Sequence, residues 1–362
     1  MKTRARPRTS LASAIPTSAT PCQGAAVFHS GVFVRLVRAC SASVCLMQLT
    51  TGLFWTGPWS AQIGIDPRIG LSLEGLTRAE LAFVDTLTLP QEQPEVEVRA
   101  EAAGISPTRL ASLLAMLTEA GVLSECPSRG IDHAPWRRIH RDSPRRQHCH
   151  VHIHRADYLG AGIAIGLARC GVGRITTDDA GVVGLTDHPA MSALGPGKSR
   201  AAALKTLLRR EAPTIQTSGA DMTVRPPNVV VVSGAYATDP VSVGMYLGQC
   251  APVYQAWIEE VDIFAGPLSI PHESACGTCL MLHRADADPH WIDLIQQACS
   301  ATPLLPETSS AMTAVSLAVR DIVAYLDGGP VPEMWRVGPA PHPPERLTLR
   351  PHPKCGCTLS AA

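Results

Sequence analysis

Residues 151–183, VHIHRADYLGAGIAIGLARCGVGRITTDDAGVV, constrain the fold of this chain more than any other stretch. Val151 and Ile153 alternate as a short strand with one face toward a core. Gly160, Gly162, Ala164 and Ala168 are small enough to let a helix sit close against a sheet. Gly171-Val172-Gly173 ends that helix, and residues 174–177 extend again. Strand, turn, helix, strand is half of a dinucleotide-type fold. The turn on which a nucleotide's phosphates would rest carries Arg155 and Asp157 where glycine is expected.

The rest of the composition agrees with a folded, multi-core chain. At 362 residues, 45% hydrophobic and 17% charged, the sequence is that of an ordinary globular protein long enough for two cores. Lys plus Arg equals Asp plus Glu at 31 each, so no global field favours nucleic acid or an anionic membrane. The most apolar run, 27–49, is interrupted by His29, Arg35 and Arg38 and is no membrane span. A soluble, cytoplasmic protein is expected. Residues 1–65 contain no acidic residue, and 1–46 read as a disordered tail or a start codon placed too far upstream, with translation beginning near Met47; an exported leader ranks well behind.

Residues 48–76 contain three short extended pieces punctuated by Thr56-Gly57-Pro58 and Asp66-Pro67. Thr77-Arg78-Ala79-Glu80 is a capping box that opens a helix to about Leu87. A second helical piece lies around 96–103. Ser106-Pro107 caps a third, in which Leu110, Leu113, Leu114 and Leu117 recur at helical spacing up to Gly121. Strands, three helices and a small wing make a winged-helix pattern over 47–125. Residues 126–150, rich in Pro, Arg and His, read as a basic linker.

Beyond the opening unit, a helix begins at Gly197-Lys198-Ser199-Arg200. NVVVVS at 228–233 is the continuous apolar run of a strand buried on both faces, and 253–258 reads as the next strand. Alternating helix and strand across 151–260 predicts an α/β sheet with right-handed crossovers. A long helix follows, carrying Met312, Val315, Val319, Ile322, Val323 and Leu326 on one face.

Twelve cysteines do not form a secreted framework, because four of them make two tight pairs: Cys276-Gly-Thr-Cys279 and Cys355-Gly-Cys357. Both sulfurs of a C-x-x-C turn reach one tetrahedral ion, so structural Zn2+ stapling the chain's end onto the sheet domain is expected; a redox pair at Cys276 and Cys279 is the other reading. Asp179, at the end of the second strand, is placed to hold a ribose hydroxyl, and Arg200 could meet a phosphate or simply be surface charge. His148, His150, His152 and His154 surround Cys149 but lack a completing ligand set; a solvated strand edge explains them. No Gly-x-Ser-x-Gly elbow, Walker loop or His-Glu-x-x-His occurs.

LGAGIAIGLARCGVGRITTDD, GPLSIPHESACGTCL, LHRADADPHW and the closing HPKCGC together resemble the ThiF/MoeB group of ubiquitin-activating-like adenylyltransferases. From about Met47 to Cys357 the chain is similar to the actinobacterial version found in thiazole/oxazole-modified peptide (TOMM) biosynthesis. The resemblance implies an α/β architecture: an N-terminal winged helix acting as a peptide-recognition element, then a Rossmann-like ThiF-type domain over 151–362 with a zinc-bound tail. Adenylating members use Gly-x-Gly-x-x-Gly, where this chain has Arg155, Asp157 and Gly160. Their acidic residue after the third apolar strand falls near Ala235, and their Asn-x-x-Arg-Gln segment is missing. Gly160, Asp179 and Arg200 remain as cofactor-binding candidates, but ATP use is not expected and no residue is assigned a catalytic role.

The resemblance further implies a leader-peptide-binding scaffold for a separate YcaO-type cyclodehydratase, and it leaves room for a homodimer; neither nucleic acid nor membrane is an expected partner. A leader peptide would add to the small sheet's edge, with Ile69, Leu71 and Leu73 on that edge and Arg109, Leu110 and Leu113 on the third helix as peptide-binding candidates; plain core is the other reading for about half of the leucines. The other readings are an active adenylyltransferase acting on a carrier-protein or peptide C-terminus, and a winged-helix DNA-binding regulator. The second is disfavoured because the third helix carries Arg109 as its one cation.

Overall fold

The computed structural model describes residues 46–124, 145–218, 226–298, 301 and 304–357. The tail expected at 1–46, except its last residue, and the linker expected at 126–150, up to residue 144, lie outside the described residues. The chain divides into two compact units, one ending before residue 144 and one built from 144 onward.

The first unit contains β1 (Leu46–Leu49), β2 (Leu53–Gly57), β3 (Ser60–Ile63), β4 (Leu71–Leu73), α1 (Arg78–Thr86), β5 (Gln91–Glu92), α2 (Gln93–Ala102), α3 (Pro107–Glu119) and β6 (Leu123–Ser124). Strands β2, β3 and β4 form an antiparallel meander, while β1 pairs with β5 on one side and β6 on the other. The Thr77 capping box forms in both directions: the Glu80 N–H donates to Thr77 Oγ1 and the Thr77 N–H donates to Glu80 Oε2. Ser106 caps α3 in one direction, its Oγ accepting from the Arg109 N–H.

Leu71, Leu73, Leu110 and Leu113 are 4%, 0%, 8% and 1% exposed and belong to this unit's core. The strand period of two and the helical period that placed them on shared faces placed them on the buried faces. All four leucines therefore take the core reading, where it was expected for about half of them. Ile69 is half-buried, and Arg109 pairs with Glu80 at 2.5 Å, tying α3 to α1.

The second unit is a three-layer sheet domain. After a 3-10 turn at Arg145–His148 come β7 (His150–Ile153), α4 (Tyr158–Arg169), β8 (Arg174–Thr176), α5 (Pro189–Ser192), α6 (Arg200–Glu211), β9 (Val229–Ala235), α7 (Pro240–Gly248), β10 (Val253–Glu259) and β11 (Asp262–Ser269). Then follow α8 (Gly277–Ala287), α9 (Trp291–Ala298), α10 (Thr308–Leu326), β12 (Met334–Val337) and β13 (Glu345–Leu347). The sheet order is β13-β12-β11-β10-β9-β7-β8. Strands β8, β7, β9 and β10 run parallel, and β10 through β13 alternate antiparallel.

Both faces of the sheet are covered, which is why the 228–233 run is continuously apolar. Val229 and Val231 pack into the core beneath α4, α6 and α10, whereas Val230 and Val232 pack against Val243 and Tyr246 of α7. The small residues of α4 permit close approach, since a Cβ on Gly166 would lie 2.6 Å from Val319 of α10. No described helix is long and apolar enough to cross a membrane.

Candidate functional site

The N-terminus of α4 lies at the carboxyl edge of the parallel strands, beside a cavity of about 250 Å³ whose lining includes His154, Arg155, Asp157, Arg200 and Ser233. Crevices of this kind are where open α/β sheets bind ligands. Gly160 keeps the turn tight: a Cβ there would sit 2.0 Å from the Arg155 carbonyl oxygen and 2.8 Å from Ser233 Oγ. Its role is helix-to-strand packing, the task of the third glycine in a nucleotide turn.

Asp157 caps α4. Its Oδ1 accepts the Gly160 N–H at 3.0 Å and the Ser233 hydroxyl, from the neighbouring strand β9, at 2.7 Å. Burial pushes the Asp157 carboxyl above the ordinary range, opposed by those two bonds and by the charges of Arg155 and Arg200. Asp179 Oδ2 accepts the Ala156 N–H at 2.8 Å and its Oδ1 the Gly181 N–H at 2.7 Å, so this residue ties the strand-end turn to the loop after β8.

Arg200 is neither a surface charge nor an unengaged cation. Its side chain is 12% exposed and forms a bidentate pair with buried Asp187 at 2.9 and 2.7 Å, with Asp179 at 3.8 Å. The structure therefore gathers Asp157, Asp179, Gly160 and Arg200 around one turn. It also supplies three residues absent from the sequence reading: Asp187, Ser233 and Asp239. Asp239-Pro240 is a legible cap-plus-proline signature, and Asp239 caps α7 through Val241 and Ser242. Ala235, at the position where the resemblance implies an acidic residue, ends β9 and lines the cavity.

The histidines of β7 correct the expectation of a solvated edge. Strand β7 is interior, flanked by β9 and β8, and His150 and His152 are 9% and 2% exposed. Both rings contact the Thr176 hydroxyl, at 2.7 and 3.0 Å. Burial, reinforced by the charges of His152 and Arg174, pulls His150 down from its ordinary 6.5 to about 4, and burial also lowers His152.

The unfolded chain takes up these protons first as pH falls. Stability is therefore lost as the pH falls from 6.5 toward 4. Asp321, raised to about 6 by burial, has the opposite slope between 3.8 and 6. Comparing urea unfolding at pH 7 and 4.5 for the wild type and His150→Gln isolates the histidine. The variant should lose less stability on acidification; equal losses would reject the assignment.

A second cluster is formed by thiols. Cys276 caps α8, Cys279 lies one turn on, and the two face Cys355 and Cys357 of the C-terminal segment, with all four sulfurs within 4.8 Å of one another. The nearest pairs run across the segments, Cys276 to Cys355 at 3.6 Å and Cys279 to Cys357 at 3.3 Å. Tetrahedral thiolates at the usual Zn–S distance of about 2.3 Å lie about 3.8 Å apart, so the donor set and spacing fit Zn2+. His352, 4% exposed, donates its N–H to Cys279 Sγ at 3.3 Å, and its ring pairs with Asp286 of α8 at 2.8 Å. Neither His352 nor Asp286 was identifiable as an anchor from spacing.

A mixed α/β sheet with a helix N-terminus at its crevice is consistent with a ThiF-type Rossmann-like domain. No protein-family model and no curated protein matches the sequence. Among solved structures, the chain is similar to E. coli MccB, with a TM-score of 0.53 and 16% identity over 86% of this chain and 97% of that one. It is also similar to the microcin C7 biosynthetic enzyme MccB in complex with N-formylated MccA (TM-score 0.52, 16% identity, 86% and 99% covered). A third match is PaaA (TM-score 0.50, 13% identity, 83% and 98% covered). At these identities the likeness establishes a shared fold. A share of 86% exceeds the second unit alone, so the likeness reaches into the first.

Proposed function

We propose that this chain is a leader-peptide-binding scaffold in ribosomal peptide maturation. The carrying observation is the fold likeness to MccB, which has been crystallised with MccA, across a share of the chain that takes in both units. The first unit acts as a winged-helix recognition element. Among the described strands β4 pairs with β3 alone, leaving its other edge for a peptide strand whose backbone hydrogen bonds supply affinity. With the four leucines in the core, selectivity falls to partly exposed groups, Ile69 and Arg109 among them.

The chemistry belongs to a partner of the YcaO cyclodehydratase type, which closes thiazole or oxazole rings. Zn2+ on Cys276, Cys279, Cys355 and Cys357 has a structural role, holding the C-terminal segment to α8. Titrating the full chain with a fluorescently labelled leader from a neighbouring precursor gene should give saturable binding at tens of micromolar or tighter; no saturation in that range would reject the scaffold. The competing reading, adenylation, draws on the ATP-bound MccB structure. Pyrophosphate exchange separates the two, and none is expected here, because Arg155, Asp157 and Ala235 stand where that chemistry needs glycines and an acid.

A further inference from the structure

We infer that Asp157 is the resident ligand of a self-liganded site: its carboxyl group takes the place of a phosphate at the N-terminus of α4 and closes the cavity to phosphate-bearing ligands. A helix N-terminus offers unsatisfied N–H groups and a partial positive charge, which is why nucleotide folds seat phosphate there. In this chain the Gly160 N–H is already taken by Asp157 Oδ1 at 3.0 Å.

An ordinary helix cap would be anchored only to its own helix and could swing aside for a ligand. Asp157 is held a second time, from β9, by the Ser233 hydroxyl at 2.7 Å, and that same hydroxyl lies 3.3 Å from the Arg155 carbonyl oxygen. The turn is also closely packed, because Gly160 sits against the Arg155 carbonyl with no room for a Cβ.

Of the two arginines lining the cavity, Arg155 is exposed and its charge acts on the Asp157 carboxyl group, and the deeper one, Arg200, is held by acids of its own. Arg200 is bonded twice to Asp187, with Asp179 behind it at 3.8 Å. A phosphate arriving at the helix end therefore meets a carboxyl group and a neutralised Arg200, with exposed Arg155 at the rim as the remaining cation. Two internal acids do what a nucleotide's phosphates would do, and the nucleotide fold stays packed with no nucleotide in it.

The inference rests on the same turn that excludes adenylation above, and is independent of the peptide-binding reading, which concerns the first unit and is tested with a leader peptide. Its own test is calorimetric titration of the full chain with inorganic pyrophosphate and with ADP, in the wild type, Asp157→Gly and Asp157→Ser. Serine keeps a helix cap while removing the carboxyl group, so it remains readable if glycine destabilises the fold. The wild type should show no saturation at millimolar ligand, and the variants should gain at least tenfold in affinity. Wild-type binding as tight as that of the variants would overturn the assignment, as would folded variants that gain nothing.

Discussion

Stripping the metal with a chelator, or replacing Cys279 with serine, is expected to lower the midpoint of thermal unfolding by about 10 °C and to make residues 349–357 sensitive to protease. The wild-type protein should carry one zinc per chain and the variant well under one. The size of the effect follows from how little else holds that segment. Apart from the thiols, it is fixed by His352 to Asp286 at 2.8 Å, by an exposed Lys354–Asp286 ion pair at 3.7 Å, by His283 to the Arg350 carbonyl at 2.9 Å, and by Leu349 packing beside the sheet and the cysteines. Structural zinc supplies folding free energy directly, and losing about 3–5 kcal/mol shifts a unit of this size by roughly the stated amount. A redox role predicts otherwise: thiol reductants would matter and chelators would not. The sulfurs approach one another across the two segments, which favours a shared ion over a pair within the C-x-x-C turn. Less than a few degrees of change on full metal removal would refute the staple.

Replacing Gly160 with alanine should be the most damaging single-methyl substitution in α4. Alanine favours a helix over glycine by about 1 kcal/mol, yet the added Cβ would stand 2.0 Å from a backbone carbonyl that the turn cannot move. We expect a net loss of about 3 kcal/mol or more by urea denaturation. Gly166→Ala is the matched control in the same helix. Its Cβ would meet Val319 Cγ2 at 2.6 Å, a stiff side chain but one that can shift more readily than a backbone carbonyl, so the cost there should be smaller, about 1–2 kcal/mol. Equal effects at the two positions would mean that the tight contact at the Arg155 turn is not what fixes α4.

Much of this fold was legible because local physics and global packing agree. The 228–233 run became a strand buried on both faces, the Thr77 box closed as spaced, and the four cysteines converged. Legibility failed where a residue's role depends on a partner far away in the chain. Three alternating histidines on 150, 152 and 154 suggest an edge, but β9 arrives from 76 or more residues downstream and makes β7 interior. Leucines at 71, 73, 110 and 113 satisfy a binding pattern and a core pattern equally, and only burial separates the two.

By itself, then, the sequence determined the α/β unit, the periodic cores, the caps and the thiol set, since each is written in spacings of a few residues. Only the tertiary structure decided what the opening turn became. From the sequence, Asp157 was a charge where glycine should be and Arg200 a cation of uncertain use. Ser233 and Asp187 come from other elements, and their approach within 3 Å turns the first into a buried, doubly held group and the second into half of an ion pair. Distances across the fold, not positions along the chain, set whether those groups were free to meet a ligand.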